Sequence, residues 1–412
     1  MSLQLLVILL PVLFAFMGFA FDLGRLYLIR GELQQAAGAG ALAAAARLIG
    51  TTGSLDAAGE ALRAAMDDST GHANRYNFGA IVIGDSGGLL TSSLPEPLFF
   101  ATAAAALGDT SLGGDQADGL TARHVQIDIT ADAPLLFWSL LALGQSRTTP
   151  VIARAVAGIS APLCTACGIE PFAVAAISQE DTADFGFTAG TRYTFGLRCD
   201  APQGTPPPAP LAGAGVRIPY AIIDRLDDSG ALDESQQLYR MGAGGLIAST
   251  DPARGCVTIN NTEQVWASAA GGSCASPPPP GVVAAACGLY SRFDGTPPTS
   301  CNNVTEIETL ANAFNADTDL NDIEDYGAYE GNARRIVTVP IVDAVTAAGP
   351  MTVLAFRQFL MEPNQGEAVT NPGDANARFN AIYIGSLVPL RAGRFDGGCQ
   401  ITAGPGKVVL HQ

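Results

Sequence analysis

Lysine occurs once, at Lys407, and histidine only three times in 412 residues. The 22 basic residues face 39 acids, for a formal charge of −17. The bases are otherwise arginines scattered singly, so no basic face exists to meet phosphates, which argues against a nucleic-acid partner. His72, His124 and His411 leave few candidates for imidazole-based metal binding or acid–base catalysis. Charged residues make up 15% of the chain while Gly, Ala, Ser, Thr and Pro abound, a balance that suits an exposed, turn-rich protein better than a dense enzyme core.

Charge is missing altogether from residues 1–21. Leu3 to Phe21 forms an apolar run that would be about 29 Å long as a helix, matching a hydrocarbon layer about 30 Å thick. This predicts a transmembrane anchor, and Pro11 within it is tolerable where neighbours satisfy the freed carbonyl. A cleaved signal peptide is the alternative, with Gly18 and Ala20 as small residues before a cut. Arg25, Arg30 and Arg47 follow the span and nothing basic precedes it, which by the positive-inside rule would leave the rest of the chain in the cytoplasm. The cysteines point the other way. Cys164, Cys167, Cys199, Cys256, Cys274, Cys287, Cys301 and Cys399 all lie beyond the anchor, and an even set among Gly/Pro-rich loops predicts structural disulfides in an oxidising compartment. On that ground a basic stretch is expected upstream of Met1.

The absence of proline from residues 22–49 lets the membrane helix continue straight into water. Asp22 with Arg25 and Glu32 with Gln35 are i,i+3 neighbours on its surface. Leu23, Leu26, Tyr27, Leu33, Ala37 and Ala44 supply an apolar stripe. Ala36, Gly40 and Ala44 repeat a small residue every fourth position, which lets another element approach the backbone closely. Either the spine docks on its own head, or it packs against other subunits, a homo-oligomer included.

Beyond the spine, Ser54 can cap a helix to about Met66, "YNFGAIVIG" (76–84) reads as a strand, and His124 to Thr130 alternates Val125, Ile127 and Ile129 inward. Pro134 is positioned to start a helix through Leu143, and Val151 to Ala157 is a further strand. Proline-rich "APQGTPPPAP" (201–210) and "PPPP" (277–280) punctuate the remainder as extended linkers or loop tips. A helix is expected over Glu306–Asn315, and strands over Ile336–Val342, Thr352–Leu360, Ala381–Val388 and Val408–Leu410. The fold class is therefore α+β: an anchor at 1–21, an Ala-rich spine at 22–50, an α/β module at 51–160 and a β-rich, loop-rich, disulfide-linked region at 161–412.

Chemistry-bearing motifs are few. "GDSGG" (84–88) is the string around a trypsin-like nucleophile, but His72 stands only 14 residues before Ser86, and most of the chain follows rather than precedes the motif, so a Gly-rich turn explains it. "CTAC" at Cys164–Cys167 has redox spacing without a thioredoxin context, and no second close pair exists for a zinc ribbon. Asp317, Asp319 and Asn321 alternate as in the first half of a calcium loop, yet Asp322 stands where an EF-hand has glycine and Ala328 where it has its bidentate glutamate. No catalytic residue and no cofactor is expected.

The segment "DLGRLYLIRGELQQAAGAGALAAAA" after an apolar span resembles the TadE/TadG-like proteins of the bacterial tight-adherence (Flp) pilus system. That family's pattern is a span, Asp-x-Gly-Arg, a polar helix with Gln, then alanines. "RHVQIDITADAPLLFWSLLALG" with "ARAVAGI", and more weakly "CGIEPFAVA" and "RRIVTVPIVD...VLAFRQFLM", extend the resemblance over about a third of the chain. It implies an inner-membrane protein with its head in the periplasm, working with other pilus-assembly or pilin-like subunits in assembly or secretion. A basic leader and a pilin-type processing site are absent from this sequence, so prepilin cleavage is not carried over. No Asp-x-Ser-x-Ser motif supports a von Willebrand A-type adhesion function. Ligand-binding adhesin and envelope hydrolase are the alternatives.

Overall fold

The computed structural model describes residues 2–66, 91–92, 96–108, 116–135, 137, 148–167, 169–170, 172–198, 209–211, 214–224, 256–260, 266–267, 289, 292–293, 317, 319, 325–345, 349–362, 376–395, 398–399 and 401–411. The chain divides into two compact units, residues 1–159 with 408–412, and residues 160–407. The expected strand at 76–84, the helix at 306–315 and the PPPP tract lie outside the described residues, as does most of the first proline-rich stretch.

The first unit begins with one uninterrupted helix, α1 (Ser2–Ala45), which runs through Pro11. At 1.5 Å per residue it is about 66 Å long, roughly twice what a bilayer core requires. α2 (Ser54–Met66) follows, then β1 (Thr91–Ser92), β2 (Leu98–Phe100), α3 (Ala103–Leu107), β3 (His124–Pro134) and β4 (Thr148–Ile159). The last strand of the whole chain, β16 (Val408–His411), also belongs here, because it pairs antiparallel with β4. The sheet order is β1-β3-β4-β16, with β2 also on β3. Alternation builds its two faces. Val125, Ile127, Ile129, Ala131 and Ala133 of β3 and Ala153, Ala155 and Ala157 of β4 pack with α1 and α2. On the other side Phe100, Ala106 and Val156 form a smaller cluster.

Two expectations change here. Pro134 does not open a helix: it ends β3, paired with Thr148 at the last rung of an eleven-residue antiparallel ladder. A proline can close a strand because the rung there does not need its missing N–H. Ser54 does start its helix, but its hydroxyl lies 2.7 Å from the Thr51 carbonyl and 2.8 Å from that of Gly119, to which it donates. It ties the loop before β3 to α2 instead of accepting from the helix N-terminus.

The second unit holds β5 (Thr165–Cys167), β6 (Phe172–Ala175), β7 (Arg192–Leu197), β8 (Val216–Asp224), β9 (Cys256–Thr258), β10 (Trp266–Ala267), β11 (Ile336–Val342), β12 (Gly349–Pro350), β13 (Val353–Glu362), β14 (Phe379–Gly385) and β15 (Ala392–Arg394). Six of them close on themselves in the order β8-β6-β11-β13-β14-β7, the ring being completed by a parallel β7–β8 pairing. Closure removes sheet edges. The interior is aromatic: Phe172, Phe187, Phe195, Phe359, Phe379 and Tyr383 belong to one buried cluster, several of them in edge-to-face contact at 5.0–5.7 Å between centroids. A small sheet, β15-β5-β9, stands beside the ring. The fold is thus α+β with strands predominating.

Candidate functional site at the membrane-exit helix

The spine residues singled out by their spacing face the interior of the first unit. Ala44 is buried, and a Cβ built on Gly40 would lie 2.5 Å from Met66 Cε and 2.6 Å from Leu62 Cδ1, with Ile127 Cδ1 at 3.7 Å. Ala36 is partly buried against the same core. Between these contacts Ile29, Leu33, Ala37, Ala41 and Ala45 run as a buried i,i+4 row facing the alanines of β4. Small side chains on both surfaces allow the helix backbone close to the sheet. Gly40 and Ala44 thus lie against α2 and the core of the first unit.

Leu23 and Tyr27 belong to the stripe by sequence yet are 55% and 79% exposed. They share their azimuth with the buried Ala41 and Ala45, about five turns farther along. Height on the helix separates them, since α2 covers the level of Gly40 whereas, among the described residues, the helix near Asp22 meets Pro134 and Phe137.

The local sequence pattern carries no signal for that lower contact. Asp22, only 5% exposed, accepts the backbone N–H of Phe137 at 2.9 Å. Arg25 donates from Nη1 to the Pro134 carbonyl at 3.3 Å. A buried carboxylate is tolerable only when such bonds replace water, and the two contacts give the Phe137 N–H an acceptor and the last-rung Pro134 carbonyl a donor. Phe137 also stacks on Phe21, with centroids 6.0 Å apart, and lies against Gly18, where a Cβ would come within 2.7 Å of the Phe137 Cβ. Asp22, Gly24 and Arg25, the polar part of the resemblance motif, thus contribute two side chains to one clamp. Near the far end of α1, Gln34 donates to the Arg154 carbonyl at 2.6 Å, and the tip of Leu410 on β16 would lie 3.4 Å from a Cβ on Gly38.

His124 and His411 meet on the same sheet with ring centroids 5.0 Å apart. Burial, and then the neighbouring His411, push the His124 pKa down to about 4, with a backbone contact at Ala101 offsetting part of this and Arg123 adding to it.

In the second unit Cys164 bonds to Cys399 and Cys167 to Cys256. The CTAC residues are therefore not partners of each other. Each ties the small β5 region to distant chain, Cys167 to the residue directly opposite it on β9. Cys199, Cys274, Cys287 and Cys301 lie outside the described residues. The acidic run is also taken up internally. Asp317 is buried, accepts the Tyr329 hydroxyl, and lies 3.6 Å from the guanidinium of the buried Arg335, whose other end is 3.5 Å from Asp319. Arg335 is the cation between these carboxylates, and its guanidinium carbon stands 5.5 Å from the Tyr329 ring centroid. Burial, followed by Asp317, raises the Tyr329 pKa, keeping the phenol neutral. Asn321 and the GDSGG stretch are outside the described residues.

These features define a protein with, among the described residues, one N-terminal helix long and apolar enough to cross a membrane, carried without a break into the core of the first unit, and a second unit that is β-rich and disulfide-linked. Residues 2–47 match the Tad family model, described as Flp pilus-assembly, TadE/G-like. The match covers α1 and stops short of the head; together with the apolar helix it fits a membrane-anchored pilus-assembly protein. No curated protein and no solved structure matches the chain.

Proposed function

We propose that the protein is a single-pass protein of the bacterial inner membrane with its head in the periplasm, acting structurally in assembly of a Flp-type pilus or of its secretion apparatus. The observation that carries this reading is the continuity of α1. The segment that matches a pilus-assembly family is at once the apolar span and the central core element of the first unit, so position at the membrane is passed to the first unit along one unbroken helix. The Cys164–Cys399 and Cys167–Cys256 bonds support an oxidising compartment for the head. The partners on this reading are other pilus-assembly or pilin-like subunits, in hetero- or homo-oligomers.

Deleting the gene and counting surface pili tests the role, together with mass spectrometry of what co-purifies with the detergent-extracted protein. Loss of pili, restored by the wild-type chain, with pilus-apparatus subunits in the extract, is expected. Normal piliation without the protein would refute it.

A further inference from the structure

We propose that Phe137, just past the end of β3, is a second membrane-contact site, entering the acyl region of the bilayer beside Gly18 and Phe21. The occupant is lipid. The proposal rests on membrane insertion of α1 and is independent of the pilus role.

The lengths leave little freedom. Leu3 to Phe21 is about as long as the hydrocarbon layer is thick, so the whole run is needed to cross it. Gly18 lies about one turn, or ~6 Å, on the membrane side of Asp22, and Phe137 packs directly on Gly18. A side chain in contact with Gly18 is at acyl depth if the helix spans. Phe137 is apolar and 40% exposed there, which water penalises and lipid does not.

Backbone bonding points the same way. Within hydrocarbon an unpaired N–H or C=O costs several kcal/mol, so backbone at that depth needs partners from the protein. The β3–β4 ladder ends at Pro134 and Thr148. Past it, Asp22 accepts from the Phe137 N–H, and at the last rung itself Arg25 donates to the Pro134 carbonyl. Two ionic side chains at the foot of the exit helix are used on the hairpin's main chain, and the carboxylate is buried in doing so. Sequence agrees as well: no charged residue occurs between Asp132 and Arg147, and that interval contains the apolar Phe137 followed by Trp138, a residue type that favours the membrane interface.

The test uses the full chain in phosphatidylcholine/phosphatidylglycerol vesicles with a carbene-generating photolabel on the lipid acyl chain, followed by reduction and trypsin. Cleavage at Arg25, Arg47, Arg63, Arg123 and Arg147 separates residues 1–25, 48–63 and 124–147. Label in both 1–25 and 124–147, above that in 48–63, is expected. Label in 1–25 alone overturns the second contact while leaving the anchor intact, and label in neither overturns both. The variant Phe137→Asp is expected to lose label from 124–147 and keep it in 1–25. Undiminished label in 124–147 of that variant would overturn the role given to Phe137.

Discussion

Gly40 of α1 lies so close to Leu62 of α2 that a single added methyl group would fall 2.6 Å from the leucine's Cδ1. The spacing of small residues along the spine is thus a record of helix-on-helix and helix-on-sheet contact inside the first unit. Gly40→Leu is expected to destabilise that unit by about 1–3 kcal/mol, the usual cost of overpacking, while the apolar span keeps the chain in the membrane. Thermal unfolding in detergent checks it. An unchanged midpoint would mean that the contact is not made.

Removing the Asp22 carboxylate leaves the Phe137 N–H without its acceptor. Asp22→Ala should cost about 1 kcal/mol for the lost hydrogen bond to a part-buried donor and speed hydrogen exchange at the Phe137 amide. Asp22→Asn retains an acceptor oxygen and should restore most of the protection. Equal exchange in all three proteins would contradict the clamp.

Much of the framework is legible because local pattern and tertiary environment agree. His124 to Thr130, Val151 to Ala157 and Ile336 to Val342 alternate or run apolar and become β3, β4 and β11, and Leu55 to Met66 keeps helical period. What was not legible depends on partners distant in sequence. Asp22 and Arg25 look like an intrahelical i,i+3 pair, yet each bonds backbone more than a hundred residues away. Asp317 and Asp319 have calcium-loop spacing, but their counter-charge comes from Arg335 in the approach to β11. Pro134 is as acceptable at a strand's last rung as at a helix's first turn, and the ladder to Thr148 decides between them. Closure of the six-strand ring rests on the parallel β7–β8 pairing, which no local signal encodes.

Reduction should act on one unit only, because every cysteine lies within residues 160–407. Breaking a native bridge in an exported domain costs about 2–5 kcal/mol. Hydrogen exchange with and without reductant should therefore show loosening of β5, β9 and β15 and no change in α2, β3 and β4. Equal loosening of both units would contradict the assignment of the bridges.

Acid should weaken the first unit over a defined window. His124 titrates near 4 in the folded chain, below its usual 6.5, so the unfolded chain takes up a proton first as pH falls. Stability from keeping His124 neutral is complete above about pH 6.5, declines through the interval down to pH 4, and amounts to at most about 3 kcal/mol. His411 on β16 and Arg123 beside it both oppose protonation. His124→Gln should flatten the profile between pH 4 and 6.5. A profile as steep as that of the wild type would place the pH dependence elsewhere.

In the proposed topology one continuous helix anchors the chain in the inner membrane and holds the first unit on the periplasmic side. β16 ties the end of the chain to β4, so a reporter fused after Gln412 shares the compartment of the first unit's sheet. Alkaline phosphatase fused there should be active and membrane-bound, and a fluorescent protein that folds only in the cytoplasm should be dark. A dark phosphatase with a bright fluorescent fusion would place the head in the cytoplasm and contradict the account.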